Sequence, residues 1–288
     1  MYKVSGKELL AWIQNVSSED GDKEALYLLL DLLGDLSKED LNLLKIDSSK
    51  EISIKENINT IESCWLDYLI ENKPIQYICG KAYWRNFKLK VSKDVLIPRK
   101  ETEIIIDIVM DICTDKKHVL FADLGTGSGA IAIALAVLNH NWNGLATDIS
   151  NKVLDISKEN FESYKKASNL KFYCGNWWKP LEKYAGDIEI AISNPPYIPQ
   201  KVYDEISKSV KKYEPEIALN GGWDGLSHIK QIIKTAPMFL KKGGWLILEN
   251  HFDQAKKVVN IMRENGFESI DIINDYSGIG RFTIGRYK

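Results

Sequence analysis

Strand-like and helix-like patterns alternate along the chain between Val119 and Ile284. Four longer runs are typical of helices: Ala130–Leu138, Val153–Tyr164, Leu226–Phe239 and Ala255–Asn265. Seven short apolar runs are typical of strands: Val119–Asp123, Leu145–Asp148, Leu170–Tyr173, Ile188–Ser193, Trp245–Glu249, Ile270–Ile273 and Phe282–Ile284. The alternation predicts an α/β fold with an open, doubly wound, mostly parallel sheet of seven strands, in which ligands bind at the carboxyl ends of the strands.

A glycine-rich run joins the first of these strands to the first helix. Its sequence is Asp123-Leu124-Gly125-Thr126-Gly127-Ser128-Gly129, and its glycines let the backbone turn tightly and approach a ligand closely. With Ala130 the run also satisfies G-x-G-x-x-A, a fingerprint of dinucleotide binding. Asp148, at the end of the next strand, suits a bidentate grip on ribose hydroxyls. Both NAD and S-adenosylmethionine carry such a ribose, so these residues alone leave both cofactors open.

Two features favour S-adenosylmethionine. The carboxylate of Asp123 stands before the glycines, where it suits the charged amino-acid end of that cofactor and would repel a pyrophosphate. After the third strand, Asn176 offers an amide for a base edge and Trp177 an indole for packing on a purine.

The run Asn194-Pro195-Pro196-Tyr197 follows the strand-like segment Ile188–Ile192. Proline lacks an N–H and keeps the residue before it out of helical geometry, so this loop offers acceptors rather than donors. If Asn194 Oδ1 and the Pro195 carbonyl each accept one N–H of a planar –NH2 group, they aim its nitrogen lone pair and stabilise the positive charge that grows on it. Tyr197 would pack against the planar group. The run thus predicts an acceptor site for an amide or amino nitrogen.

Several further runs make the chain similar to one known family. Together with the glycine loop and the Asn194–Tyr197 loop, it contains Pro74-Ile75-Gln76-Tyr77-Ile78, Val95-Leu96-Ile97-Pro98-Arg99, Glu101-Thr102-Glu103, Glu214-Pro215 and Asp224-Gly225-Leu226. These motifs resemble the bacterial release-factor glutamine methyltransferase family over nearly the whole chain. Two positions depart from the family pattern: Asn176 stands where an aspartate is common, and Glu249-Asn250-His251 stands where a glycine is usual.

The resemblance implies a class I, Rossmann-like methyltransferase with S-adenosylmethionine as donor and S-adenosylhomocysteine as product. It implies methylation of the glutamine side chain in the Gly-Gly-Gln motif of peptide chain release factors, giving N5-methylglutamine, with no metal. Asn194, Pro195 and Tyr197 would be catalytic, and these with Pro196 would hold the glutamine. By the matching motifs, the donor would be bound by Asp123, Leu124, Gly125, Thr126, Gly127, Asp148, Ile149, Asn176, Trp177 and Asn194.

The N-terminal part of the chain differs in character. Residues 1–73 show helical spacing without a strand pattern, including Ile54, Ile58, Ile61, Trp65 and Leu69, with Pro74 as the expected end. Capping-box patterns begin at Ser5 and Ser37, and the aromatic side chains of Trp12 and Trp65 are expected in the core. We therefore predict a small all-α domain over 1–73 that docks the substrate, a β-hairpin linker over 74–99, and the methyltransferase domain over 100–288.

Charge and apolar content indicate which classes of partner the protein binds. The 288 residues carry a formal net charge of −2, without the basic stripe of a large nucleic-acid surface, and Lys208, Lys211 and Lys212 fit a solvated helix face. The longest apolar run, Ala130–Leu138, is too short to span a bilayer. We expect a cytoplasmic monomer with a protein substrate and no direct nucleic-acid or membrane binding.

The widely spaced Cys64, Cys79, Cys113 and Cys174 suggest neither disulfides nor zinc and are expected as small buried hydrophobes.

Three alternative functions stay open from the residues. A sister enzyme of the same family would methylate a glutamine of a ribosomal protein. An N6-adenine methyltransferase of nucleic acid uses the same acceptor loop on a flipped base, but it would need a basic duplex-binding surface. An NAD dehydrogenase could use the glycine loop, but it gives no role to Asn194–Tyr197.

Overall fold

The computed structural model describes residues 1–17, 20–164 and 169–288. The chain divides into two compact units, Met1–Ala82 and Tyr83–Lys288. Within the described residues, no helix combines the length and the apolar character needed to cross a membrane. The assignment of separate roles to 1–73, 74–99 and 100–288 stays a prediction.

The N-terminal unit is mainly helical. Its core contains Leu9, Leu30, Ile61 and Trp65, and Trp12 packs against it half-buried, so the expected core positions of both tryptophans are confirmed. The elements in chain order are β1 (Tyr2–Ser5), α1 (Gly6–Val16), α2 (Asp20–Gly34), α3 (Lys38–Ile46), β2 (Glu51–Ile54), α4 (Ile58–Glu71) and α5 (Ile75–Cys79).

The expectation of a strand-free N-terminal segment is wrong for two short stretches. β1 and β2 pair antiparallel, with Tyr2 opposite Ile54, and α4 begins only at Ile58. Each strand has four residues and its partner lies far away along the chain, so no local periodicity reveals the pairing. The helix also ends before Pro74, at Asn72 in the left-handed conformation (φ 49°).

The two predicted capping boxes have different outcomes. Ser37 accepts from the Asp40 backbone N–H while the Asp40 carboxylate accepts from the Ser37 N–H, so this box is confirmed. Ser5 stands at the N-cap of α1, but its side chain makes no capping hydrogen bond. At this position β1 leads directly into α1, and the Gly6 N–H donates to the Lys50 carbonyl instead.

The segment 74–99 is only partly extended. Its first part is the helix α5, closed by Gly80 at φ 65°, rather than a strand. The following β3 (Lys81–Trp84) and β4 (Phe87–Lys90) form a two-stranded sheet, as predicted, and the division between the units falls within β3.

The C-terminal unit confirms the predicted α/β architecture. Its helices are α6 (Ile104–Ile112), α7 (Ala130–Leu138), α8 (Asn151–Glu162), α9 (Gln200–Glu205), α10 (Lys208–Tyr213), α11 (Ser227–Thr235) and α12 (Ala255–Glu264). Its strands are β5 (Leu120–Leu124), β6 (Asn143–Asp148), β7 (Leu170–Cys174), β8 (Ile188–Ser193), β9 (Leu240–Glu249), β10 (Phe267–Asn274) and β11 (Gly280–Tyr287). They form one sheet in the order β10-β11-β9-β8-β5-β6-β7. Five neighbouring strands run parallel to one another: β9, β8, β5, β6 and β7. β11 is antiparallel to both of its neighbours, β10 and β9.

Alternate side chains of the central strands enter two separate cores. On β5, Phe121 packs into the core that includes α6 and α7, whereas Ala122 and Leu124 pack into the core that includes α11 and α12. This alternation follows from the pleat of a strand, which sends successive side chains to opposite faces. The sheet is therefore covered on both faces, as a parallel sheet requires.

The strand order reverses at β5. The chain leaves β5 for β6 on one side, and later returns to place β8 on the other. Connections on opposite sides of a sheet leave a crevice at the carboxyl ends of the two strands. At this point the Ser193 hydroxyl donates to the Leu124 carbonyl at 2.6 Å and ties the two strand ends together. The glycine-rich run and the Asn194–Tyr197 loop leave the sheet here.

The exposure of side chains tests the expectations for the lysines of α10 and for the four cysteines. The helix α10 has no buried residue, which confirms the solvated face for its three lysines. All four cysteines are free, but only Cys113 is buried; Cys64 and Cys79 are half-buried and Cys174 is exposed. The expectation of a buried cysteine is thus wrong at Cys174, which ends the edge strand β7.

Candidate active site

A cavity of about 450 Å³ lies at the strand-order reversal, within the size range of sites for small molecules. The glycine-rich run, the end of β6 and the Asn194 loop all line it, so the structure brings the predicted cofactor and acceptor regions together. The predicted residues that line the cavity are Gly125, Thr126, Gly127, Asp148, Ile149, Asn176, Trp177, Asn194 and Pro196.

The glycine-rich run needs its glycines for two different reasons. Gly125 has φ 74°, and a Cβ there would lie 2.8 Å from the Trp177 ring, so both conformation and space exclude a side chain. Gly127 has φ 57° but open space around it, so only its backbone conformation favours glycine. The N–H groups of Gly125 and Thr126 donate to the Thr147 carbonyl, which holds this loop on β6.

Asp148 ends β6 with its carboxylate already fixed by backbone donors. Its Oδ2 accepts from the Gly127 N–H at 3.1 Å, and its Oδ1 accepts from the Ser150 N–H at 3.1 Å. Burial raises the pKa of this carboxyl, and the backbone hydrogen bonds oppose that shift. Each oxygen keeps a lone pair for a ligand hydroxyl. Asp148 is thus held in a fixed position at the cavity wall.

Asp123 lies beneath the glycine-rich run and is 1% exposed. Its Oδ2 accepts from the Thr126 hydroxyl at 2.7 Å, whereas its buried Oδ1 has no hydrogen-bond partner among the described residues. Burial raises the pKa of Asp123 to about 7. A buried carboxylate oxygen without a donor is costly, and a cationic group on a ligand would remove that cost.

The adjacent tryptophans have different positions. Trp177 lines the cavity in the left-handed conformation (φ 48°), which is rare for a bulky residue and is typically found at functional sites. Trp178 is 2% exposed, stacks on Phe239 at 5.1 Å between ring centroids, and donates to the Ile232 carbonyl. Trp177 can therefore contact a ligand, and Trp178 belongs to the core.

The Asn194 side chain is held at one end. Its Nδ2 donates to the Thr102 hydroxyl at 3.1 Å, and its Oδ1 has no hydrogen-bond partner in the described parts of the chain. Thr102 also lines the cavity. The amide therefore turns its donor toward Thr102 and leaves its oxygen free to accept, which agrees with the acceptor chemistry expected of this loop.

Three other residues predicted for the site lie behind the cavity wall. Leu124 is fully buried in the core, so only its backbone is near the loop. Pro195 is buried, and Tyr197 packs against the same core while its hydroxyl donates to Glu249 Oε1 at 3.0 Å. Burial and the neighbouring Glu249 carboxylate raise the pKa of Tyr197. Its ring is thus held by the protein itself.

Sequence reasoning missed the polar residues that support the acceptor loop. Glu249 is 1% exposed at the end of β9 and accepts from both Tyr197 and Thr102. Gln254 is also buried, and its Nε2 donates to the Tyr197 carbonyl at 3.0 Å and to the Asp224 carbonyl at 3.2 Å. The sequence signal that pointed to Glu249 is a carboxylate at the end of an apolar strand-like run.

Two other features complete the surroundings of the cavity. Arg99, a lining residue, pairs with the buried carboxylate of Glu214 at 2.5 Å and thereby connects two segments of the wall. His251 has a polar partner, because its Nδ1 lies 2.7 Å from Asp253 Oδ1, and its side chain is only 18% exposed. Among the residues the structure describes, no group of three or more His, Cys, Asp or Glu side chains is placed to hold a metal ion.

Comparison with known proteins identifies the family. A family profile described as "Methyltransferase domain" matches residues 115–274, which include the glycine-rich run, Asp148 and Asn194. A curated release factor glutamine methyltransferase from Prochlorococcus marinus is 38% identical over 280 residues, covering 96% of each chain. Similarity at this level extends beyond the cofactor-binding part. The chain belongs to the release factor glutamine methyltransferase family.

Other members of the release factor glutamine methyltransferase family match to a similar extent. The one from Synechocystis is 37% identical over 98% of this chain and 97% of its own. The one from Coxiella burnetii is 38% identical over 82% of this chain and 83% of its own. Among solved structures, the hMettl16 catalytic domain in complex with a 3′UTR hairpin covers 96% of this chain and 90% of its own with a TM-score of 0.57. At 13% identity that likeness shows the shared methyltransferase fold alone.

Proposed function

We propose that this protein transfers the methyl group of S-adenosylmethionine to the side-chain amide nitrogen of the glutamine in the Gly-Gly-Gln motif of peptide chain release factors. The products are N5-methylglutamine, S-adenosylhomocysteine and a proton, which the methylated nitrogen gives to water. The observation that carries the proposal is the position of Asn194, with its amide oxygen free, in the same cavity as the glycine-rich run and Asp148. Membership of the family supports the same substrate.

Asp123, beneath the cavity wall, and the residues that line the cavity fit this methyl donor. Asp123 Oδ1 needs a donor, and the ammonium of the amino-acid end would supply one. Asp148 would accept from the ribose hydroxyls, and Asn176 and Trp177 would contact the purine. The full set proposed to bind the donor is Asp123, Leu124, Gly125, Thr126, Gly127, Asp148, Ile149, Asn176, Trp177 and Asn194, with Leu124 acting through its backbone.

The donor supplies a methyl group on a sulfonium, which makes that carbon open to in-line attack. The task of the protein is to hold a poor nucleophile, the glutamine amide, in line and at short distance. Asn194 Oδ1 and the Pro195 carbonyl would each accept one amide N–H and stabilise the positive charge that develops on nitrogen. Pro195 and Pro196 keep the loop rigid because their φ angles are fixed. Tyr197 would support the loop from behind through Glu249.

The charge and the N-terminal segment of the protein agree with an enzyme that modifies a translation factor. A substrate of this kind places the protein in the cytoplasm, where we expect it to act as a monomer. The formal net charge of −2 agrees with a protein substrate rather than direct nucleic-acid binding. We assign the docking of the release factor to residues 1–73, which the relatives that match over the whole chain also contain.

A competition experiment tests the substrate. The protein is incubated with labelled S-adenosylmethionine and a mixture of unmethylated release factor, ribosomal proteins and nucleic acid. We expect label on the release factor alone. Label on a ribosomal protein or on nucleic acid, with none on the release factor, would reassign the substrate while keeping the methyltransferase chemistry.

A further inference from the structure

Behind the acceptor loop lies a chain of three buried or half-buried polar side chains. Glu249 Oε2 accepts from the Thr102 hydroxyl at 2.7 Å, and Thr102 Oγ1 accepts from Asn194 Nδ2 at 3.1 Å. The second Glu249 oxygen accepts from the Tyr197 hydroxyl at 3.0 Å. Glu249 and Thr102 are 1% and 4% exposed, so bulk water does not replace these partners. These side chains come from three separate segments: the short 3-10 helix Glu101–Glu103 just before α6, the loop after β8 and the end of β9.

The direction of these hydrogen bonds follows from the chemistry of the groups. An ionised carboxylate only accepts, so in the ionised form of Glu249 the single Thr102 hydroxyl proton points at it. Thr102 then has only lone pairs left for Asn194. The Asn194 amide must therefore turn its NH2 toward Thr102 and its oxygen away. With Glu249 ionised, reversing any one of these bonds would place two donors or two acceptors against each other.

That orientation is the one the substrate needs. A glutamine amide has two N–H donors, so an acceptor must face it. If the Asn194 amide were flipped, its own NH2 would meet the substrate NH2, and neither donor would be satisfied. Asparagine alone does not favour one orientation, because the two ends of its amide have nearly the same shape. The preference has to come from the groups around it.

We propose that Thr102 and Glu249 are positioning residues that fix the polarity of the Asn194 amide. Glu249 acts through Thr102, and it holds Tyr197 with its other oxygen, so one buried carboxylate sets both ends of the acceptor loop. The proposal rests on the proposed function, since it assigns these residues to the orientation of a substrate –NH2 group. Glu249 itself is not among the residues that line the cavity.

We call the hydrogen bonds that run from Glu249 through Thr102 to Asn194 the relay. Two substitutions at Thr102 test the relay through its effect on enzymatic activity. Thr102→Val keeps the shape but removes the hydroxyl, and we expect kcat to fall about 10- to 100-fold. The dissociation constant for S-adenosylmethionine, measured by calorimetry, should change less than about twofold, because the variant keeps the Asn194 side chain and leaves Asp148 and the glycine-rich run unchanged. Thr102→Ser keeps the hydroxyl and should retain kcat within about threefold. An unchanged kcat in the valine variant, or equal losses in both variants, would overturn the proposal.

A matched control separates loss of packing from loss of the relay. Thr283 is also buried, and its hydroxyl donates to Asn250 Oδ1 at 2.7 Å, outside the cavity wall. Thr283→Val should lower the melting temperature as Thr102→Val does, with kcat near that of the wild type. A fall in kcat of the same size in both valine variants would mean that any lost buried hydrogen bond has this effect, which would overturn the proposal.

The orientation of the Asn194 side-chain amide can also be measured without enzymatic turnover. In wild-type protein labelled with 15N-asparagine, nuclear Overhauser contacts should join the Asn194 side-chain NH2 to Thr102. Contacts of that NH2 only with groups across the cavity would show the opposite orientation and overturn the relay, whether or not the variants fold. Because this reading needs no substrate, it is independent of the substrate assignment. Wild-type protein that keeps the orientation but leaves release factor unmethylated would contradict the proposed function and not the relay.

Discussion

Asn194 uses the two ends of one amide for opposite purposes. Its Nδ2 donates to Thr102, and its Oδ1 is left to accept a substrate N–H. Replacement of Asn194 by alanine removes both the NH2 group and the amide oxygen. We expect Asn194→Ala to lower methyl transfer to the detection limit, because the nitrogen lone pair is no longer aimed, while cofactor affinity is reduced but measurable. Asn42→Ala, at an exposed position of α3, is the control. Unchanged turnover of Asn194→Ala in a label-transfer assay would rule out the acceptor-loop mechanism.

Asp148 is predicted to act on the donor rather than on the acceptor. Its carboxylate is fixed by two backbone N–H groups, so little reorganisation accompanies ligand binding. We expect Asp148→Ala to weaken S-adenosylmethionine binding by about 1.5–3 kcal/mol, the range for lost hydrogen bonds to a charged group. Calorimetric titration measures this, with the exposed Asp155→Ala as control. A dissociation constant close to that of the wild type would remove Asp148 from the donor site.

At the scale of elements, the backbone of the glycine-rich run lies directly against the Trp177 ring. Gly125 and Gly186 both have a positive φ, 74° and 80°, but only at Gly125 would a Cβ meet a neighbour, the Trp177 ring. Alanine at either position should lower the free energy of unfolding by about 1–2 kcal/mol through the strained backbone. Gly125→Ala alone should also displace Trp177 and weaken cofactor binding. Equal cofactor affinities in the two variants would show that this contact is unimportant for binding.

The elements also show what local sequence patterns can predict. The bounds of β8 and α7 match the predicted ones, because both are mainly apolar segments with mostly buried residues. β1 and β2 were missed because their pairing joins residues far apart in the chain. The relay of Thr102 and Glu249 was missed for the same reason: the residues converge only after the sheet forms. Cofactor and acceptor loops could be predicted because each sits directly after a recognisable strand.

At the scale of the whole molecule, Glu249 links stability to pH. Burial raises its pKa from 4.5 to about 7, although Thr102, Tyr197 and Arg281 oppose the shift. Between pH 4.5 and 7 the folded protein therefore binds more protons at Glu249 than the unfolded chain does, so this group lowers stability as pH rises. Below pH 4.5 the group is protonated in both states and the effect ends.

Glu249→Gln cannot titrate and so removes this contribution. We expect the free energy of unfolding of the variant, relative to the wild type, to increase steadily from about pH 4.5 to about pH 7. Denaturant titrations of both proteins across this window measure the difference. Asp123, whose pKa is also about 7, is present in both proteins and cancels. A difference that stays constant with pH would contradict the raised pKa of Glu249.

The whole molecule is proposed to carry out one reaction on one glutamine. The most direct measurement is tandem mass spectrometry of release factor after incubation with this protein and S-adenosylmethionine, next to a release factor whose Gly-Gly-Gln glutamine is replaced by glutamate. We predict a single methyl group, located by fragmentation on the side chain of that glutamine, and none on the replaced substrate. A methyl group on any other residue, or an equal yield on both substrates, would contradict the proposed function.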